Sequence, residues 1–399
     1  MKEIIAFFKK PNRCDLYLAS WSLYYLQGTL YPESSSLSKI LFLMNMLVAI
    51  YYVIYVNLHY KTPPLLKGLN ILLVLFTIYG IILYVTRGTS FIVHGEILDS
   101  NLYLKAIYLS LFPVYPFYYF SLKGYLTSDK IRGWTMVFFI VTTCSFFYEQ
   151  KKRIMQLAEL GFDTDNVTNN TSYIFLSLIP FLVLYRKKIL FQYFGLAYCL
   201  YYIMIGMKRG AILIAVICLM FFLYDNFKNS SSPKKFALFL LTGCLMVLGG
   251  MFISDTMMQN DYFQTRLTST LEGNSSGRDE IYSHIWTVFE NSNMFHFLFG
   301  YGAQGSFIMT AKFAHSDWLE LLINQGLLGF IIYINYWKHY YISWRSAKNI
   351  EVKNILGLLL LIFLFKSIFS MSYASYIYYT NCLLGYCLAN LYYNKKECV

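Results

Sequence analysis

The chain has 399 residues, of which 57% are hydrophobic and only 14% charged, a balance that excludes an ordinary soluble domain. Aromatic residues reach 20%, with 38 Tyr and 34 Phe, as expected of a protein with wide belts at the membrane interface. The formal net charge of +12 does not point to nucleic acid, because most Lys and Arg sit in short connections between apolar runs. The eight cysteines form no Cys-x-x-Cys pair, so neither a disulfide framework nor a zinc site is expected, and no cofactor is implied.

The N-terminus, Met1 to Arg13, is short and basic and lacks a small-residue cleavage signature, which predicts a cytoplasmic lead-in. About twelve apolar stretches then approach the roughly 20 residues that a helix needs to cross the hydrocarbon core. They fall at 15–31, 38–58, 68–86, 101–121, 133–148, 171–185, 189–206, 210–226, 236–254, 317–337, 354–370 and 373–392. Basic residues concentrate on one set of alternate connections, including Lys61, Lys123, Arg186, Lys234 and Lys338, and this places both termini inside. The expected fold is therefore all-α and polytopic. Residues 1–254 hold nine spans, 255–316 form one large external loop, and 317–399 hold three more spans and a cytoplasmic tail.

Against this topology the exceptions carry information. Lys208 and Arg209 occupy a tight outward turn where no topogenic role explains them. Lys105, Glu320 and Lys366 each fall within a span near its outer end, and ionisable groups inside a membrane usually face a cavity or a partner. The cluster Lys151-Lys152-Arg153 either guides an anionic substrate or marks a span drawn too short.

The loop 255–316 is rich in aromatics and predicts a segment folded back over the outer face. Ser276-Gly277-Arg278-Asp279 has the form of a capping box ahead of an amphipathic helix over 279–290. Arg278 then sits in the first turn, where backbone N–H groups and a guanidinium suit a phosphate, or where it pairs with Asp279 or Glu280. Gly300-Tyr301-Gly302-Ala303-Gln304-Gly305 spells a dinucleotide fingerprint, but that motif requires a βαβ unit and the surroundings are membrane spans. These glycines instead permit tight turns or close backbone approach. His315-Ser316-Asp317 opens the tenth span, and His315 shares the outer face with Arg209, Arg266 and Arg278. A histidine there serves as general base, phosphate donor or helix cap. Several cations around one imidazole point to a lipid-linked phosphate substrate, and no acidic cluster with metal-binding spacing accompanies them.

The Lys208-Arg209-Gly210 turn, Ser276-Gly277-Arg278, Phe299-Gly300-Tyr301-Gly302 and the run from His315 to Gly329 occur in that order and sidedness. Together they resemble the bacterial O-antigen polymerase (Wzy) and O-antigen ligase superfamily. The motifs cover roughly residues 165–340, and the span pattern covers the whole chain. Lys208 departs from the Ser that often stands at that turn. The resemblance implies a GT-C-like, metal-independent glycosyltransferase of the bacterial inner membrane that joins undecaprenyl-pyrophosphate-linked oligosaccharides of an O-antigen or capsule. It further implies that Arg209 and Arg278 hold the pyrophosphate and that His315 stands at the reacting centre. Arg266, Lys208, Asp317 and Glu320 are expected to complete the substrate site. Membrane lipids, a chain-length regulator and a flippase are the partners implied, and nucleic acid is not. A ligase shares the donor chemistry and differs in its acceptor. A lipid-linked oligosaccharide flippase, as a third reading, predicts internal repeats, and none is evident.

Overall fold

A computed structural model describes residues 11–160, 167–228, 277–371 and 379–391, together with the isolated positions Gly243, Met251, Gln264 and Thr268. The expected span at 236–254, most of the loop 255–316 and Arg266 lie outside the described residues. What is described is mainly helical. Six helices are long and apolar enough to cross a membrane: α2 (Ser36–His59), α3 (Pro64–Arg87), α6 (Ser128–Glu159), α9 (Arg209–Lys228), α13 (Asp317–Ser346) and α14 (Ile350–Phe369). Shorter helices complete the bundle: α1 (Arg13–Tyr25), α4 (Ser100–Leu111), α5 (Val114–Leu122), α7 (Ser172–Leu178), α8 (Ile189–Ile205) and α15 (Thr380–Ala389). Between α9 and α13 lie α10 (Arg278–Glu290), α11 (Met294–Phe299) and α12 (Gly305–Thr310).

Local chemistry explains most of the helix starts. Asn12 and Asp15 form a full capping box at the start of α1, where the Asn12 side chain accepts from the Cys14 and Asp15 amides. Asp15 then accepts from the Trp134 indole at 3.0 Å and pairs with Lys130, which ties α1 to α6. Pro64 opens α3 at a position where a missing N–H costs nothing. Large apolar side chains on α2, such as Leu43, Leu47 and Leu58, remain exposed on the surface that a bilayer would cover. Inside the bundle α15 lies against α5 so closely that a Cβ on Gly385 would stand 2.6 Å from the Tyr118 nitrogen.

The structure departs from the expected spans in five places. The stretch 101–121 is two helices, α4 and α5, because Pro113 carries no N–H to continue the ladder. The stretch 171–185 begins as α7 and tightens into a 3-10 helix over Ile179–Tyr185, with Pro180 in its first turn. The fifth span does not stop at 148. It continues as α6 to Glu159, so Lys151, Lys152 and Arg153 belong to a helix and not to a connection. The connection after α3 is an antiparallel hairpin, β1 (Ser90–Val93) with β2 (Glu96–Asp99), a small exception to an all-α fold. Its two-residue turn places His94 at φ 51° and Gly95 at φ 81°, the left-handed pair that favours this hairpin. Finally, α13 is not continuous. Gly326 at φ 67° and ψ −165° breaks it into two rods.

That break explains the glycine motif in the loop. At an interrupted helix the last carbonyls lack their usual donors and need others. Here the Tyr301 amide donates to the Ile323 carbonyl and the Gly302 amide to the Asn324 carbonyl, each at 2.9 Å. A Cβ on Gly326 would lie 2.5 Å from the Gly300 nitrogen, and a Cβ on Gly300 would lie 2.4 Å from the Asn324 carbonyl carbon. The motif at 299–302 and the motif at 324–326 are therefore two halves of one backbone-to-backbone contact. It fixes the loop to the membrane helix.

Candidate functional site: a cationic cavity at the loop end of the bundle

A cavity of about 890 Å³ opens at the end of the bundle that carries α10 and α12. Its walls come from the α1–α2 connection, the start of α4, the end of α6, the segment before α7, the α8–α9 turn, α10, His315 and the end of α14. These are the alternate connections that the charge pattern assigns to one face. They meet at one end of the molecule.

The α8–α9 turn is built to present its cations. Asn169 is buried; its amide donates to the Gly206 carbonyl at 2.9 Å and its side chain donates to the Phe146 carbonyl at 3.0 Å. A Cβ on Gly206 would meet the Ser172 hydroxyl, so only glycine fits beneath that contact. Met207 then takes φ 50°, a left-handed conformation that costs a non-glycine residue about 1–3 kcal/mol. Lys208 and Arg209 follow it at the cavity wall.

Arg278 opens α10 as expected, but the cap is different. Gly277, in the left-handed region, is the N-cap residue and no side chain caps the helix, so the capping-box expectation for Ser276 is not met. The Arg278 guanidinium donates to the Phe369 carbonyl at 2.9 Å, at the C-terminal end of α14. A cation is favourable at that helix end, and one such bond engages only part of the donor fork. The side chain is thereby anchored at the cavity wall.

His315 also sits in the left-handed region, at φ 53°. Two of the segments that carry the site's charge thus hold strained non-glycine residues, a pattern common where function dictates backbone geometry. Partial burial lowers the His315 pKa first, and the positive charges of Arg278 and Lys208 lower it further. At neutral pH the imidazole is accordingly uncharged and able to take a proton.

Further cations line the same space. Lys366 is buried on α14, with its ammonium 5.0 Å from the centre of the Tyr173 ring. Lys105 on α4 lies 5.3 Å from the Phe42 ring, and Lys152 on α6 is held by both carboxylate oxygens of Glu33 at 3.1 Å. Lys105 and Lys366 are legible in the sequence as charges embedded in spans. Lys152 is legible only as part of a cluster. Glu33 and Glu149, which also line the cavity, are single acids at span ends and give no signal.

Two expected substrate residues sit elsewhere. Glu320 is fully buried, accepting from the Ser306 hydroxyl at 2.5 Å, the Ala314 amide at 2.6 Å and the Asn324 side chain at 3.1 Å. It holds the 306–314 segment onto α13. Asp317 is fully buried too, accepting from the Tyr333 hydroxyl at 2.7 Å and acting electrostatically on Lys366. Neither lines the cavity; both brace residues that do. The structure thus brings together Lys208, Arg209, Arg278 and His315, and leaves Asp317 and Glu320 behind them.

No curated protein matches the chain. Residues 194–334 match the family model described as O-antigen ligase, a stretch that contains the α8–α9 turn, Arg278, His315 and the Gly326 break. That match supports a place for this membrane chain in the O-antigen ligase and polymerase superfamily.

Proposed function

We propose that the chain is a polysaccharide repeat-unit polymerase, an inverting, metal-independent glycosyltransferase that joins undecaprenyl-pyrophosphate-linked oligosaccharides at the outer face of a bacterial inner membrane. The observation that carries this reading is the convergence of Lys208, Arg209 and Arg278 with an uncharged His315 on one cavity. A diphosphate leaving group gathers negative charge as its bond to the anomeric carbon breaks. Cations fixed in advance stabilise that charge without reorganising, an effect worth roughly 10²–10³ in rate for each donor. An acceptor hydroxyl is a weak nucleophile, and a neutral imidazole within reach takes its proton as the new glycosidic bond forms. One displacement at the anomeric carbon inverts its configuration and releases the lipid pyrophosphate.

The second reading is a ligase that moves finished glycan onto a lipid acceptor. It is favoured by the description of the matched family model, which names that activity. Both readings use the same donor site. A strain lacking the chain, complemented with His315→Ala, Arg209→Ala or Arg278→Ala at matched expression, tests the site. Long-chain polysaccharide should disappear in each case. Normal polymer from all three variants would overturn the assignment, and full-length polymer left unattached in the null strain would replace the polymerase with the ligase.

A further inference from the structure

The cavity is not uniform in charge. One end gathers Lys208, Arg209 and Arg278, whereas the other carries Glu33 and Glu149 beside Gln27, with Lys152 neutralised by its bond to Glu33. A diphosphate is repelled by the second end and attracted by the first. The acidic end also opens into a side pocket of about 110 Å³ that shares Gln27, Glu33 and Glu149 with the main cavity. Two hydroxyls line this pocket, Thr142 at 1% exposure and Tyr379 at 4%. The two face each other, yet neither completes a hydrogen bond among the described residues. Buried hydroxyls without partners are uncommon in folded proteins and mark a place where a polar ligand completes them.

The chemistry of this arm is that of polyol recognition. Carboxylates only accept, hydroxyls and amides both donate and accept, and a sugar presents several hydroxyls that do both. The arm also differs in origin. Thr142, Glu149, Gln27, Glu33 and Tyr379 all lie outside residues 194–334, the stretch that matches the family model and supplies Arg209, Arg278 and His315. We propose that this carboxylate- and hydroxyl-lined arm is the subsite for the terminal sugar of the acceptor glycan, holding it so that one hydroxyl faces the cationic end. The proposal rests on the glycosyl-transfer reading above and adds where the second substrate sits.

The test uses the purified full-length protein and two substrates. The donor is the lipid-linked glycan that accumulates in cells carrying His315→Ala. The acceptor is the free oligosaccharide released from it by mild acid, which has lost its pyrophosphate and serves only as acceptor. Transfer is read as lengthening of the free oligosaccharide. Glu149→Gln and Thr142→Val should each raise the KM for the oligosaccharide at least fivefold, with kcat and the KM for donor within twofold. Thr142→Val removes one unbonded hydroxyl and nothing that holds the fold, so it reads the subsite even where Glu149→Gln folds poorly. An unchanged oligosaccharide KM in Thr142→Val and Glu149→Gln would overturn the proposal. A rise in the donor KM instead would assign the arm to the donor glycan and overturn it equally. Failure of the wild-type protein to transfer at all, with no lipid-linked glycan accumulating in the His315→Ala cells, would overturn the transfer reading beneath it.

Discussion

The two ends of the cavity are made differently. The cationic end comes from segments whose backbone is constrained: a turn with Met207 in the left-handed region, a helix start at Arg278 tied to the end of α14, and His315 at φ 53°. The carboxylate end comes from side chains on regular elements or beside them, Glu149 and Thr142 on α6 and Glu33 just before α2. The first needs several strained segments held in register, and the second needs only helices packed side by side. A site for a fixed diphosphate calls for the first kind of construction. A site that varies with the sugar tolerates the second. The same division follows the family match, which includes the first end and stops short of the second.

The largest expected effect is at His315. Replacing it with Ala should lower glycan transfer by about 10²–10⁴, the range typical of a general base, with the protein present in normal amounts; a gel of total polysaccharide and an immunoblot check both halves. Arg278→Ala and Arg209→Ala come next, each lowering transfer by roughly 10²–10³. Arg278→Lys should recover only part of this, since an ammonium lacks the planar fork that reaches the Phe369 carbonyl and a phosphate together. Full recovery by Lys would reduce Arg278 to a point charge.

Gly326→Ala acts on a different property. The added Cβ meets the backbone at Leu298 and Gly300 in a left-handed conformation, so the loop should lose its seat on α13 and thermal stability in detergent should fall. An unchanged melting temperature would show that the backbone contact is not needed to hold the loop.

The smallest effect is the one that bears most closely on the electrostatics. The His315 pKa is lowered in the folded protein, so the imidazole stays neutral to lower pH than an ordinary histidine near 6.5. Transfer should therefore persist as pH falls through about 6.5 and fail only below it, when the imidazole takes up a proton. Lys208→Met removes one of the charges responsible and should move this acid limb upward in pH. A limb that stays in place would separate His315 from Lys208.

Much of this arrangement is legible in the amino-acid sequence, because it is written in charge. A lysine or arginine in an outward turn or inside a span has no cheap place to go, and Lys208, Arg209, Lys105 and Lys366 all stand at the cavity. Sequence reasoning fails where a charge is satisfied internally. Asp317 and Glu320 read as substrate ligands because nothing local shows that Tyr333, Ser306 and Asn324 will close around them. The span count suffers for another reason. Hydropathy averages over Pro113 and Gly326, so broken helices read as continuous ones. The hairpin at 90–99 escapes notice although His94-Gly95 between two short apolar runs is a turn signal, because a membrane protein invites a search for helices alone. Glu33 and Glu149 carry no local mark, and only the packing of α6 beside the α1–α2 connection brings them together.

The most direct test of the central claim uses purified protein in lipid bilayers, supplied with lipid-linked repeat units and followed by the length of glycan on the carrier. The wild-type protein should lengthen it. Arg278→Ala should leave single units intact and bound more weakly. Lengthening by Arg278→Ala at the wild-type rate would contradict the claim that this cavity stabilises the leaving pyrophosphate.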